Sequence, residues 1–181
     1  MSKVEKSIYQ LRFNEKFLAE APMDVTPYGF GGFDYHNRAP LGRGVRRIEE
    51  SVAVLTPADA VAYLNREVYV PFEHFDQEEL WVLLLNTKHR ITHDVMVYRG
   101  NVKASLVRVA EVFKDAVRVN VPNIILAHNH PSGDPTPSAE DINVTRMISQ
   151  AGKLLDIDVL DHVVVGNGQW VSLRERGLGG W

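Results

Sequence analysis

Two histidines one residue apart, His128 and His130, stand at the end of the apolar run 124–127. Side chains alternate along a strand with period two, so an extended backbone here points both imidazoles to the same side. Two imidazoles on one side of a strand end form half of a metal site. They also fit a buried hydrogen-bonded pair that holds no metal.

A carboxylate that can complete the site follows closely in the chain. Residues 131–137 are rich in proline and glycine and cannot continue a strand, and Ser138 then fits the N-cap of a helix with Asp141 in its first turn. Two imidazoles and one carboxylate, with a fourth position left for water, are the usual protein ligands of a catalytic zinc. The sequence therefore predicts a Zn²⁺ ion held by His128, His130 and Asp141.

The spacing H-x-H, seven residues, then S-x-x-D resembles the signature of the JAMM (MPN+) metalloproteases. Residues 128–138, His-Asn-His-Pro-Ser-Gly-Asp-Pro-Thr-Pro-Ser, are similar to the bacterial RadC branch of that superfamily. The likeness continues through residues 78–88, 159–162 and 172–178, so it covers roughly residues 56 to 178. It implies an α/β fold, a JAMM/MPN-like (cytidine-deaminase-like) α-β-α sandwich around one mixed sheet.

The resemblance also implies a glutamate just before a buried strand, acting on the metal-bound water. The adjacent Glu78 and Glu79 are the candidates, and the resemblance favours Glu79 as the catalytic residue because it immediately precedes the apolar run 80–85. Glu78 is the alternative, and a solvent-facing role is the other interpretation of Glu79. Asn129 stands where many JAMM proteins carry Ser or Thr, and its side chain should point away from the metal.

Several further polar residues have two interpretations each. Ser138 has a hydroxyl that can donate to a developing oxyanion, and it can equally cap the helix; the two roles can coexist. Asp134 fits a turn-former better than a ligand. Asp161 and His162 can hydrogen-bond to the metal ligands without binding the metal themselves, or they can be strand residues with ordinary structural hydrogen bonds.

The composition fits one globular catalytic domain with an appendage. The chain has 181 residues, of which 45% are hydrophobic and 24% are charged. We expect an irregular N-terminal extension at residues 1–55 and a RadC-like JAMM/MPN+ domain at residues 56–181. Cysteine is absent, which excludes thiolate ligands, disulfides and a cysteine nucleophile. The sequence has no apolar run of bilayer length and no signal-like start, so we expect a cytoplasmic protein without a membrane partner.

Hydrophobic periodicity and turn residues predict alternating strands and helices in the domain. Helices are expected from Thr56 to about Arg66, over 106–120 and over 138–155. Strands are expected over 80–86, 91–98, 122–128 and 157–165, with a tight hairpin at Asn167-Gly168 leading into 169–173. Shorter strands are weakly indicated at 7–13 and within 46–55.

The leading functional prediction is a zinc metallohydrolase that cleaves amide or isopeptide bonds in a peptide or protein substrate. The motif H-E-x-x-H, a G-x-S-x-G elbow and a Walker A loop are all missing. A DNA-repair or DNA-processing role is the alternative carried by the resemblance, although a net charge of −3 does not support nucleic-acid binding. The one basic cluster, Arg43, Arg46 and Arg47, fits a solvated turn better than a phosphate site. A partner-binding scaffold, with the glycine and aromatic segment 28–35 as its arm, is a third possibility.

Overall fold

The computed structural model describes residues 45–50, 52–100 and 107–181. The strands described are β1 (Val45–Arg47), β2 (Glu79–Leu85), β3 (Ile91–Arg99), β4 (Asn123–Asn129), β5 (Asp158–Val165) and β6 (Trp170–Ser172). The helices described are α1 (Pro57–Glu67), α2 (Val109–Val119) and α3 (Ala139–Leu155), with a 3-10 turn at Phe72–His74. The strands form one sheet in the order β1-β3-β2-β4-β5-β6.

The apolar side chains of the central strands divide between the two faces of the sheet. In β2, Leu80, Val82 and Leu84 belong to the core cluster that includes buried residues of α2 and α3. Leu83 and Leu85 belong to the cluster that includes buried residues of α1. This alternation is the period of a strand buried on both faces. The predicted α-β-α arrangement around one mixed sheet is confirmed.

The strand pair that carries the site is the parallel one. β4 and β5 are parallel, whereas every other pairing in the sheet is antiparallel. Parallel strands need a crossover connection, and α3 supplies it. The loop after β4 therefore delivers the first turn of α3 beside the end of β4, where the two histidines lie.

Local signals account for where the helices begin. Thr56 caps α1 and Ser138 caps α3, each in a reciprocal capping box with the acidic residue three positions later, Asp59 or Asp141. The predicted hairpin at 167–168 is confirmed by the antiparallel pairing of β5 with β6. Among the described residues of 46–55, which omit residue 51, the extended structure is limited to the short β1 and an isolated bridge at Ala53.

The segments 7–13 and 28–35 lie outside the described residues, as does most of the N-terminal extension, so its boundary at residue 55 stays a prediction. None of the helices in the described ranges combines the length and apolar composition that a membrane crossing requires.

Candidate metal centre

Three ligand-type side chains converge where β4 meets α3. The Nε2 atoms of His128 and His130 lie 3.1 Å apart. Asp141 places Oδ1 3.3 Å from Nε2 of His128 and Oδ2 3.6 Å from Nε2 of His130. The side chains are 0%, 13% and 3% exposed, in the order His128, His130, Asp141. Their ligand atoms all lie within 4.8 Å of one another, so the group could hold one metal ion.

The protonation of His130 fits a metal ligand. Its Nδ1 lies 2.8 Å from the backbone carbonyl oxygen of Asp134. A carbonyl only accepts, so Nδ1 carries the proton and donates it, which leaves the lone pair of the neutral ring on Nε2. That lone pair is directed at the Nε2 atom of His128 and the Asp141 carboxylate. Electron-pair donors this close together need a cation or a proton between them, and the nitrogen and oxygen donors present suit zinc.

Asp141 is held in place by the helix cap. Its Oδ2 accepts from the backbone N–H and from the hydroxyl of Ser138, both at 2.7 Å. Burial alone acts to raise the pKa of Asp141, but the nearby imidazoles of His128 and His130 and the backbone N–H of Ser138 outweigh it and bring the pKa well below its usual range. The carboxylate is therefore an anion. The Ser138 hydroxyl has its one proton committed to that carboxylate, so its oxyanion role stays a prediction.

The two candidate glutamates face opposite sides of the sheet. In the antiparallel pairing of β2 with β4, Leu80 lies opposite His128, so these two side chains share a face. Alternation then places Glu78 on that face and Glu79 on the other. The pKa of His130 is raised, mainly by the hydrogen bond to Asp141, and the negative charge of Glu78 adds to the rise. The charge of Glu78 is therefore felt by His130.

Glu79 is engaged elsewhere. Its Oε2 accepts from Nε1 of Trp81 at 2.9 Å, and its Oε1 lies 3.4 Å from Nε of Arg99. The Glu79 side chain is only 8% exposed, so Glu79 does not face the solvent. The sequence-based choice of Glu79 as the catalytic glutamate stays a prediction. Strand register, rather than proximity to the strand start, determines which carboxylate shares the face of the histidines, and it favours Glu78 as the candidate to propose.

Asn129 has a specific structural role beside this pair. Its side chain points away from the histidines, as expected, and is fully buried. Its Oδ1 accepts from the backbone N–H of Glu79 at 2.7 Å, and its Nδ2 donates to the backbone oxygen of Gln77 at 3.1 Å. The amide therefore holds the residues on both sides of Glu78. We call this pair of contacts the Asn129 clamp.

The loop between His130 and α3 is fixed by a close approach of two backbones. A Cβ added at Gly166 would lie 2.2 Å from the carbonyl oxygen of Gly133, so only glycine fits there. Asp134 forms a turn as predicted, since its Oδ1 accepts from the backbone and hydroxyl of Thr136. Its backbone carbonyl, which orients His130, was not foreseen from the sequence.

Asp161 and His162 have different roles, although they are adjacent. Asp161 Oδ2 accepts from the Ser172 hydroxyl at 2.7 Å and Oδ1 accepts from two backbone N–H groups, so it stabilises the C-terminal segment. His162 lies 2.8 Å from Nδ1 of His128 through its Nε2, and its Nδ1 lies 2.6 Å from the hydroxyl of Thr145. The sequence signal of this contact was a histidine within the mostly apolar segment 157–165.

Arg46, from the basic cluster, pairs with a buried carboxylate of the sheet. Its guanidinium donates to both carboxylate oxygens of the fully buried Asp94, and Tyr63 donates to the same carboxylate at 2.6 Å. The ion pair anchors the edge strand β1 to β3. Arg43, of the same basic cluster, lies outside the described residues.

Comparisons with known proteins match the part of the chain that carries this residue group. A family model described as "RadC-like JAB domain" matches residues 54–178. A UPF0758 protein of Roseiflexus castenholzii is 54% identical over 130 residues, which are 72% of this chain and 54% of that protein. A UPF0758 protein of Chloroflexus aurantiacus is 52% identical over 141 residues, 77% of this chain and 60% of that protein. A UPF0758 protein of Halalkalibacterium halodurans is 42% identical over 169 residues, 90% and 71% respectively. The chain thus spans little more than half the length of the first two relatives.

Proposed function

This chain belongs to the RadC-like JAB domain family, and we propose that it is a zinc-dependent hydrolase that cleaves amide or isopeptide bonds in peptides or proteins. The observation that carries the proposal is the convergence of two imidazole Nε2 atoms and one ionised carboxylate within 4.8 Å. Two histidines and one carboxylate, with one position left open, are typical of hydrolytic zinc sites. Magnesium and calcium prefer sets of oxygen ligands, which the site does not provide.

His128, His130 and Asp141 would hold the ion, and a bound zinc would provide a Lewis acid able to polarise a carbonyl and to lower the pKa of water to about 7. The protein residues supply the rest. Asp141 contributes the only carboxylate among the ligands, and Ser138 orients it through two hydrogen bonds. Glu78, on the face of the sheet that carries the histidines, takes a proton from the attacking water and returns it to the leaving amine. General acid–base catalysis of this kind contributes about 10²–10⁴-fold to a rate.

The assignment of Glu78 as the proton carrier rests on strand parity and on the effect of its charge on His130. Glu79 serves as its matched control because it is adjacent in sequence, carries the same charge and lies on the opposite face of the sheet. A role of the Ser138 hydroxyl in stabilising an oxyanion requires it to turn away from Asp141 when substrate binds, and it stays a prediction.

The test is digestion of a peptide library and a matched set of isopeptide-linked lysine peptides by the full-length zinc-loaded protein, followed by mass spectrometry. We expect cleavage that depends on zinc, that is lost in Glu78→Gln and that is retained in Glu79→Gln. Single- and double-stranded DNA are incubated in parallel. Nicking of DNA that Glu78→Gln abolishes, with no cleavage of any amide, would replace the proposal by a DNA-processing role.

A further inference from the structure

We propose that His162 and Thr145 are positioning residues that order the protons around His128, so that its Nε2 is the bare, metal-binding nitrogen. This inference rests on the proposed metal site. It concerns a chain of three contacts that runs from the backbone of α3 through Thr145 and His162 to His128. Neither His162 nor Thr145 belongs to the candidate ligand group.

The contact of Thr145 with the backbone of α3 fixes which group donates and which accepts in all three hydrogen bonds. The Thr145 hydroxyl lies 2.6 Å from the backbone oxygen of Asp141 and 2.6 Å from Nδ1 of His162. The hydroxyl has one proton, and the carbonyl oxygen can only accept. The proton must therefore point to Asp141, since the opposite arrangement would bring two oxygens with facing lone pairs to 2.6 Å. Thr145 then accepts from His162, so the proton of His162 is on Nδ1.

The next two steps follow from the chemistry of a neutral imidazole. A ring that donates from Nδ1 has its lone pair on Nε2, and Nε2 of His162 lies 2.8 Å from Nδ1 of His128. His128 therefore donates from Nδ1, which leaves its own lone pair on Nε2. That atom is the one that faces His130 and Asp141. Metal-binding histidines are commonly oriented through their second ring nitrogen, usually by a carboxylate, carbonyl or water. In this protein the partner of the second ring nitrogen of His128 is another histidine, His162.

Burial keeps solvent away from these three contacts. Thr145 and His128 are 0% exposed and His162 is 1% exposed, so water cannot replace a missing partner. The two ring nitrogens of His162 contact a hydroxyl and an imidazole, and a charged ring is disfavoured in such buried, neutral surroundings. Thr145 follows Asp141 by one helical turn, so α3 supplies both a ligand and the end of the proton chain.

The first test reads the protons directly. We would record the ¹⁵N spectrum of the histidine rings in the full-length, metal-free protein, where His128 and His162 should both carry their proton on Nδ1. In Thr145→Val, which keeps the shape and removes the hydroxyl, His128 should shift toward the tautomer protonated on Nε2. In Thr145→Ser the wild-type pattern should return. A wild-type protein with His128 protonated on Nε2 would overturn the inference without any variant.

The second test measures zinc affinity by competition with a chromophoric chelator. Loss of an outer partner of a metal ligand typically costs about 10- to 100-fold in affinity, so we expect this loss in Thr145→Val and in His162→Phe. Thr145→Ser and His162→Gln, whose side-chain carbonyl can accept from His128, should recover affinity. Thermal unfolding verifies that each variant is folded. Folded Thr145→Val and His162→Phe proteins with wild-type affinity would contradict the inference, whereas a wild-type protein that fails to bind zinc would contradict the proposed function instead.

Discussion

Replacing Asn129 by alanine should destabilise the protein without removing the metal ligands. The Asn129 clamp contributes two hydrogen bonds, one to a buried N–H at Glu79 and one to the backbone oxygen of Gln77 in a more exposed position. A buried donor left unpaired costs about 1–3 kcal/mol, and a hydrogen bond lost where water can replace it costs about 0.5–1.5 kcal/mol. The free energy of unfolding should therefore fall by about 1.5–4.5 kcal/mol. For a domain of this size that corresponds to a decrease in Tm of about 3–18 °C.

Denaturant unfolding followed by circular dichroism measures this difference, and Asn123→Ala provides the control. Asn123 is a buried asparagine in the same strand, but its side chain makes one hydrogen bond, to the backbone oxygen of Asn86 at 3.2 Å. Its loss should cost about 1 kcal/mol. Zinc affinity should be unchanged in both variants, because Asn129 faces away from the histidines. This reasoning would be refuted if the Asn129→Ala protein were no less stable than the Asn123→Ala protein. It would also be refuted if the Asn129→Ala protein were folded but no longer bound zinc.

Three further predictions concern the site. Glu78→Gln should lower amide hydrolysis by about 10²–10⁴-fold with zinc affinity retained, whereas Glu79→Gln should keep most of the rate; equal losses would contradict the assignment. Zinc affinity should fall as the pH drops through the raised pKa of His130, because a protonated Nε2 cannot bind a metal. Calorimetric titrations with zinc between about pH 5 and 8 would measure this decrease. An affinity that does not change with pH would argue against His130 as a ligand. Gly166→Ala should cost about 1–3 kcal/mol in urea unfolding, since its Cβ meets the Gly133 oxygen at 2.2 Å, and a fully stable variant would contradict that close approach.

The ligand group could be predicted from the sequence because its determinants are local. His128 and His130 share a face through the period of a strand, and Asp141 is placed by the cap at Ser138. The only long-range requirement is that α3 returns beside β4, and a crossover between parallel strands provides it. The same local patterns predicted the main helices and strands of the domain.

The choice between Glu78 and Glu79 could not be made in this way. Both precede the same apolar run, and a shift of one residue moves a side chain to the other face of the sheet. Only the register that sets Leu80 opposite His128 decides which carboxylate lies with the histidines.

The contact of His162 with His128 is likewise a product of the tertiary structure. It joins neighbouring strands through residues 34 positions apart, and Thr145 completes it from a helix. The sequence offered only a polar residue in an apolar run, a pattern that an ordinary buried hydrogen bond explains equally well. Local spacing thus predicted the candidate ligand group, whereas the contacts of His162 and Thr145 became visible only in the assembled sheet.

The central claim is that His128, His130 and Asp141 bind one metal ion, and calorimetric titration of the chelator-treated full-length protein with zinc tests it most directly. We predict one zinc per chain, with binding lost in Asp141→Asn and in the double variant His128→Ala, His130→Ala. Asp134→Asn, which alters an exposed carboxylate of the same loop, should bind as the wild type does. A wild-type protein that binds no zinc, or an Asp141→Asn variant that binds it undiminished, would contradict the account.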